Sequence, residues 1–311
     1  MRTEAKVIGL VVAVLLVGEV GLRVVQRSVS ADWEHVSALP EISRTFSEAG
    51  GCRVLFLGNS LTRRGVDAGV FASLASSAVA DGGVSAARVF PDDTSVIEWL
   101  YAYERFFGTD AEAPDVLVVG FAVDQLQDRP ITAVSVARIG SSYSTMETVP
   151  EAYEEDLTSF GQRVELLMSK ASLSFAIRER AGRRVIDAVV PNYRPTVKWI
   201  NDATISLQPG SGGGDAAAPT FGRMERLVEA AAERGTEVVF VAMPTLRDYA
   251  LPEGMAAAIS RAGATFVDAR KTPGIEEADY LDTYHLAPSG AETYTRRLAR
   301  DLEPRLPALC R

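Results

Sequence analysis

Apolar residues in this chain come in short uninterrupted runs, separated by longer stretches with helical spacing. Five runs read as strands, over residues 53–58, 84–90, 115–121, 237–243 and 264–269. Residues 66–80, 94–107, 220–234, 252–262 and 289–303 read as helices between and after them. Runs apolar throughout, such as DVLVVGF at 115–121, suit strands buried on both faces of a parallel sheet. The alternation predicts an α/β fold with a doubly wound, flavodoxin-like, five-stranded parallel sheet. It breaks over 128–218, where no clear apolar strand occurs. Residues 151–190 look largely helical, and PGSGGGDAAAP at 209–219 is a flexible loop by composition. Segment 128–218 is therefore expected to be a largely helical insertion that caps the active face.

The first residues follow a different pattern. Residues 7–18 carry no charge, and the apolar character continues to Val25. A helix of about 20 residues crosses a hydrocarbon core of about 30 Å. The sequence thus predicts a transmembrane anchor over 1–27, a polar connector over 28–52, and one main domain over 53–311. Glu19 and Arg23 interrupt the apolar run four residues apart, on one helical face, where they can pair. Arg2 and Lys6 precede the run and suit a cytoplasmic N-terminus. The expected location is a single pass through the plasma membrane with the main domain outside the cytoplasm. A signal peptide cut after Ala31 is the rival, but the uncharged run 7–18 ends well before that site and three charges lie between.

Composition narrows the chemistry. The 311 residues carry a formal net charge of −9, which argues against nucleic acid as a partner. There are two histidines, His35 and His285, and two cysteines, Cys52 and Cys310. That set offers no metal cluster, and no cofactor is expected. The cysteines are either two unrelated small residues or a disulfide. The latter is permitted in an oxidising compartment, because Cys52 precedes the first strand and Cys310 ends the last helix.

Sites in such sheets form at the carboxyl ends of the strands, and three stretches fall there. Gly58-Asn59-Ser60-Leu61-Thr62 closes the first strand and opens a helix, so Ser60 sits where a nucleophile and a developing oxyanion are favoured. A plain helix N-cap is the alternative. Tyr280-Leu281-Asp282-Thr283-Tyr284-His285-Leu286 follows the last strand. Its three-residue spacing can set a carboxylate against the nearer imidazole nitrogen, leaving the other to face a hydroxyl. Gly120-Phe121-Ala122-Val123-Asp124-Gln125-Leu126 ends the third strand, where a polar side chain could help bind an oxyanion or a substrate hydroxyl; a solvated loop is the alternative.

On these residues the chain resembles the SGNH (GDSL-like) hydrolase superfamily, over roughly 53–126 and 220–305. The resemblance implies Ser60 as nucleophile, His285 as base and Asp282 as its orienting carboxylate. Asn59 stands where many members carry aspartate. Pro91-Asp92-Asp93-Thr94 replaces the family's middle glycine block. Asp124 falls where asparagine is usual when Leu126 is aligned with the residue after the G-x-N-D block. An ionised carboxylate cannot donate to an oxyanion, which leaves Gln125 as an alternative donor. Asn59, Asp93, Asp124 and Gln125 are the candidates for the oxyanion and substrate side.

The anchor, the outward domain and the long insertion are similar to SGNH-like proteins that work with membrane-bound O-acyltransferases in bacterial envelope assembly. The resemblance implies an O-acyl esterase or O-acyltransferase acting on an envelope glycan or another acylated substrate through an acyl-serine. The alternative is a catalytically weak scaffold or glycan-binding partner of a membrane-bound O-acyltransferase. Trp99, Tyr193 and Trp199 are candidates for stacking on sugar, with core packing as the commoner role. A secreted lipase or thioesterase would need an apolar cleft.

Overall fold

The computed structural model describes residues 2–29, 31–79, 82–145, 147–192, 196 and 218–310. Five strands, β1 (Cys52–Leu57), β2 (Val84–Val89), β3 (Val116–Phe121), β4 (Glu237–Ala242) and β5 (Thr265–Asp268), form one sheet in the order β2-β1-β3-β4-β5. Every pairing is parallel. The helices in chain order are α1 (Arg2–Val29), α2 (Ala31–Ser47), α3 (Ser60–Gly65), α4 (Ala68–Ala75), α5 (Val96–Phe107), α6 (Ala133–Arg138), α7 (Phe160–Ala171), α8 (Leu173–Ala176), α9 (Arg178–Val189), α10 (Gly222–Ala232), α11 (Met255–Arg261) and α12 (Pro288–Leu302).

The two-residue period of a strand explains the layers. Leu55, Leu57, Leu117, Val119, Phe121, Val238 and Phe240 face a core shared with α2, α5, α10 and α11. Their neighbours Val54, Phe56, Val116, Val118, Val239 and Val241 face the opposite core, with α3, α4 and α12. With both faces covered, all six residues of β3 are buried, and each large side chain of this kind contributes about 1.5–3 kcal/mol. The chain leaves β1 for β2 on one side and returns to β3 on the other, so the crevice at the carboxyl ends of β1 and β3 is the switch point where such sheets bind ligands.

Two glycines let that crevice close tightly. A Cβ at Gly58 would come within 2.1 Å of the Thr62 hydroxyl oxygen and 2.7 Å of the Gly120 carbonyl. One at Gly120 would meet the same hydroxyl at 2.6 Å. Thr62, 1% exposed, therefore packs the first turn of α3 directly against the end of β3.

The stretch expected to be a plain connector is different. Residues 31–47 form α2, and Trp33, Val36, Leu39 and Phe46 are buried. Val36, Leu39 and Phe46 form an apolar stripe that packs on the sheet side held by α5, while Trp33, one turn earlier, packs elsewhere. Over 128–218 the described residues hold helices and two π-helical turns and no strand. Arg129–Ser135 walls a cleft described below, whereas Leu173 and Ile177 pack with Trp33 and Leu22 of α2 and α1. The loop 209–217, Tyr193 and Trp199 lie outside the described residues.

Within α1, Thr3–Val24 is long and apolar enough to cross a membrane, with a mean hydropathy of 2.3, and among its described side chains the rest of the protein partly covers only Glu19 and Leu22. Glu19 pairs with Arg23 at 3.0 Å. Its carboxylate also accepts the backbone N–H groups of Leu173 and Ser174 at 2.7 and 3.0 Å, and the hydroxyls of Ser172 and Ser174. The insertion thus grips the far end of the apolar helix. Cys52 and Cys310 form a disulfide that joins the start of β1 to the end of the chain.

Candidate active site

Asn59 caps α3. Its side-chain oxygen accepts the Leu61 N–H at 3.0 Å, and its amide donates to the Thr94 carbonyl at 3.0 Å. Both ends of this buried side chain are thereby used to fix the turn that presents Ser60, so Asn59 holds the loop rather than facing a substrate. Ser60 opens α3 at its first position, where the backbone N–H has no intrahelical acceptor.

The last loop meets it across the crevice. Residues 281–285 form a tight turn closed by the antiparallel bridge between Tyr280 and Leu286 and by the Leu281 N–H to His285 carbonyl bond at 2.8 Å. Leu246 donates to the Thr283 carbonyl at 3.0 Å, which docks the turn on the segment after β4. Asp282 Oδ1 accepts the backbone N–H groups of Tyr284 and His285, each at 2.9 Å. The His285 ring sets Nδ1 3.0 and 2.9 Å from the two Asp282 oxygens, and Nε2 2.8 Å from Ser60 Oγ. Partial burial opposes the Asp282 charge, but the His285 ring and the two backbone N–H groups hold its carboxyl below the ordinary aspartate value. An ionised Asp282 takes the Nδ1–H, which leaves Nε2 to accept the Ser60 proton. His285 and Asp282 side chains are 27% and 35% exposed, so the line is open to a substrate.

The other candidates divide. Asp93 and Gln125 border a cleft of about 540 Å³ with Asp124, Gln127, Arg129 and Arg223. Asp124 is engaged in an ion pair with Arg129. The Gln125 side-chain oxygen turns back to accept the Ala122 N–H at 2.9 Å, within its own turn. Val123 between them has φ of 53°, a left-handed conformation that is costly for a β-branched residue, on the order of 1–3 kcal/mol, and that clusters at functional loops. Trp99 is fully buried and donates to the Thr94 hydroxyl at 2.9 Å, so it is core and cannot stack on a sugar.

Sequence reasoning missed the brace behind the site. From α2, Asp32 accepts the Asp92 N–H at 2.6 Å and His35 Nε2 accepts the Phe90 N–H at 3.0 Å. The His35 ring lies 3.7 Å from that of Phe90 and 7° from parallel. Burial, helped by Arg88 and Arg63 and opposed by Asp32, pushes His35 down to about 4, so it is neutral near pH 7 and acts as an acceptor. Arg138, 4% exposed, reaches Glu98 at 3.3 Å and donates to the carbonyls of Asp92 and Asp93 at 2.9 and 3.3 Å. Asp92, the neighbour of the expected Asp93, is the carboxyl in electrostatic contact with His285. Burial pushes it up, against the pull of Arg63, its partner at 3.0 Å. The apolar spacing of Trp33, Val36 and Leu39 was the available signal for α2. Nothing local marks Asp32 or His35 as belonging to a loop nearly 60 residues on.

Fold and site together define the class: a doubly wound α/β protein with a hydrogen-bonded Ser-His-Asp line at the carboxyl edge of its parallel sheet. No protein-family model matches the chain, and no curated protein is similar to it at a significant level. Among solved structures, it is similar to LAE5, an alpha/beta hydrolase enzyme from the metagenome of Lake Arreo, Spain. The identity is 10%, the match covers 82% of this chain and 96% of that one, and the TM-score is 0.39. At that identity the likeness says nothing of the reaction.

Proposed function

We propose that the protein is a serine O-acyl esterase or O-acyltransferase of SGNH type, held by α1 in a plasma membrane with residues 53–311 as an extracytoplasmic domain. Its substrate is an acylated envelope glycan. The observation that carries this reading is the unbroken line from Ser60 Oγ through His285 to Asp282. Ser60 Oγ attacks the acyl carbonyl as His285 Nε2 takes its proton, and the Ser60 N–H faces the developing oxyanion. His285 then gives the proton to the departing alcohol oxygen, leaving an acyl-serine. Water or a sugar hydroxyl, deprotonated by the same nitrogen, attacks that ester and frees Ser60. The adjacent cleft, rimmed by carboxylates, amides and arginines, suits a hydroxyl-rich glycan better than an acyl chain.

One observation favours the second reading, a weakly catalytic glycan-binding partner of a membrane-bound O-acyltransferase. Asp124 is paired with Arg129, and Gln125 is tied through its oxygen to the Ala122 N–H, so of the two side chains only the Gln125 amide nitrogen has protons to offer an oxyanion. The readings separate on p-nitrophenyl acetate, given to the detergent-solubilised full chain with and without an oligosaccharide acceptor. The enzyme reading expects nitrophenol release in wild type, none in Ser60→Ala, and an acetylated acceptor if transfer prevails. Equal release by wild type and Ser60→Ala would favour the binding partner.

A further inference from the structure

A second cavity, of about 230 Å³, opens where α1, α2, α5 and α7 meet. Its lining includes Arg23, Arg105 and Lys170 with the serines Ser141, Ser142 and Ser169, and no Asp or Glu. At about 30 Å³ per water, it has room for a group of several heavy atoms. The cations have little to neutralise them. Arg23 shares Glu19. Lys170 donates to the Ser144 carbonyl. Arg105 lies over the Phe106 ring and has no carboxylate partner among the described residues. Burial, with Arg105 alongside, pushes the Lys170 ammonium down.

Ser169 adds an independent observation. It is 1% exposed, and its hydroxyl has no hydrogen-bond partner among the described residues. A buried unpaired hydroxyl costs about 1–3 kcal/mol unless something satisfies it. Turned into the cavity that its residue lines, this hydroxyl would donate to a tetrahedral oxyanion held there by the cations.

We infer that this cavity binds a phosphate group at the membrane end of the domain, beyond anything the Ser60 site requires. Position favours a lipid as the source. Arg23 lies in the last turns of the apolar stretch Thr3–Val24. The helix that carries Ser169 and Lys170 turns Phe160, Val164, Leu167 and Met168 to the outside, from 40% to 82% exposed. Their spacing of four, three and one sets them on one face of that helix, opposite Ser169, as in a surface helix that lies against a membrane interface.

Calorimetric titration of the full chain in neutral detergent tests this, with inorganic phosphate and dihexanoyl phosphatidic acid as separate probes. Saturable binding is expected, weakened tenfold or more by Arg105→Gln and several-fold by Ser169→Ala. The exposed pair Arg296→Gln and Arg297→Gln should leave it unchanged. Tighter binding of the lipid than of phosphate assigns a headgroup; equal affinities assign a free phosphate group. Arg105 is exposed at the surface, so its replacement leaves the fold intact. No saturable heat with either probe, or the same affinity in both cavity variants as in wild type, overturns the inference.

Discussion

His285 and His35 are the two histidines of the chain, and the loops they serve lie at the same edge of the sheet. His285 is partly exposed, takes a carboxylate on Nδ1 and faces a hydroxyl with Nε2. His35 is stacked on Phe90, accepts a backbone N–H, and is held at about 4. One imidazole is placed between a carboxylate and a hydroxyl, where a proton can pass; the other stays neutral until the pH falls to about 4. Surroundings, rather than residue type, divide the open, hydrogen-bonded His285 loop from the braced one. The brace matters to the site because α2 and Arg138 hold the 90–93 loop, whose Asp92 lies in electrostatic contact with His285.

Substitutions should separate the two regions. The largest effect belongs to the reactive loop: Ser60→Ala and His285→Ala should lower turnover by about 10⁴-fold or more, and Asp282→Asn by roughly 10⁴-fold. The melting temperature, followed by circular dichroism, should hardly move. A large fall in melting temperature would place these residues with the brace instead.

Next comes the brace. Arg138→Met leaves Glu98, 1% exposed, without its guanidinium and should cost about 3–5 kcal/mol in denaturant unfolding. A neutral outcome would show that the 90–93 loop stands without it. A change remote from both loops supplies the scale. Cys52→Ser with Cys310→Ser opens a closure of 258 residues, and should cost about 2–5 kcal/mol while leaving turnover per folded molecule intact.

The smallest effect is the pH response of His35. Its folded value of about 4 lies below the ordinary 6.5, so the folded state binds fewer protons than the unfolded chain. Its contribution is complete above pH 6.5 and is lost as the pH falls through 4, by up to about 3 kcal/mol. His35→Gln, which cannot take a proton, should flatten that part of the stability profile. An unchanged slope between pH 6.5 and 4 would remove His35 from the account.

Much of this layout could be read in advance. Strands expected at 53–58, 84–90, 115–121, 237–243 and 264–269 lie within two residues of β1 to β5, because buried parallel strands must be apolar throughout. Ser60 and the Asp282–His285 pair could be singled out because a strand end and a three-residue turn are local patterns. Asn59, Asp124 and Gln125 could not be assigned that way. Their partners, Thr94, Arg129 and the Ala122 amide, are chosen by loop geometry that residue type does not encode. The same holds for α2. Its helical spacing is visible, interrupted by the exposed Pro40, but its purpose rests on Asp32 meeting an N–H 60 residues away.

The most direct test of the central claim is labelling of the detergent-solubilised full chain with a fluorophosphonate, which reacts only with an activated serine. The account predicts a single labelled site in wild type, mapped to Ser60, absent in Ser60→Ala and His285→Ala and retained in His35→Gln. Equal labelling of wild type and His285→Ala, or none in any form, would contradict it.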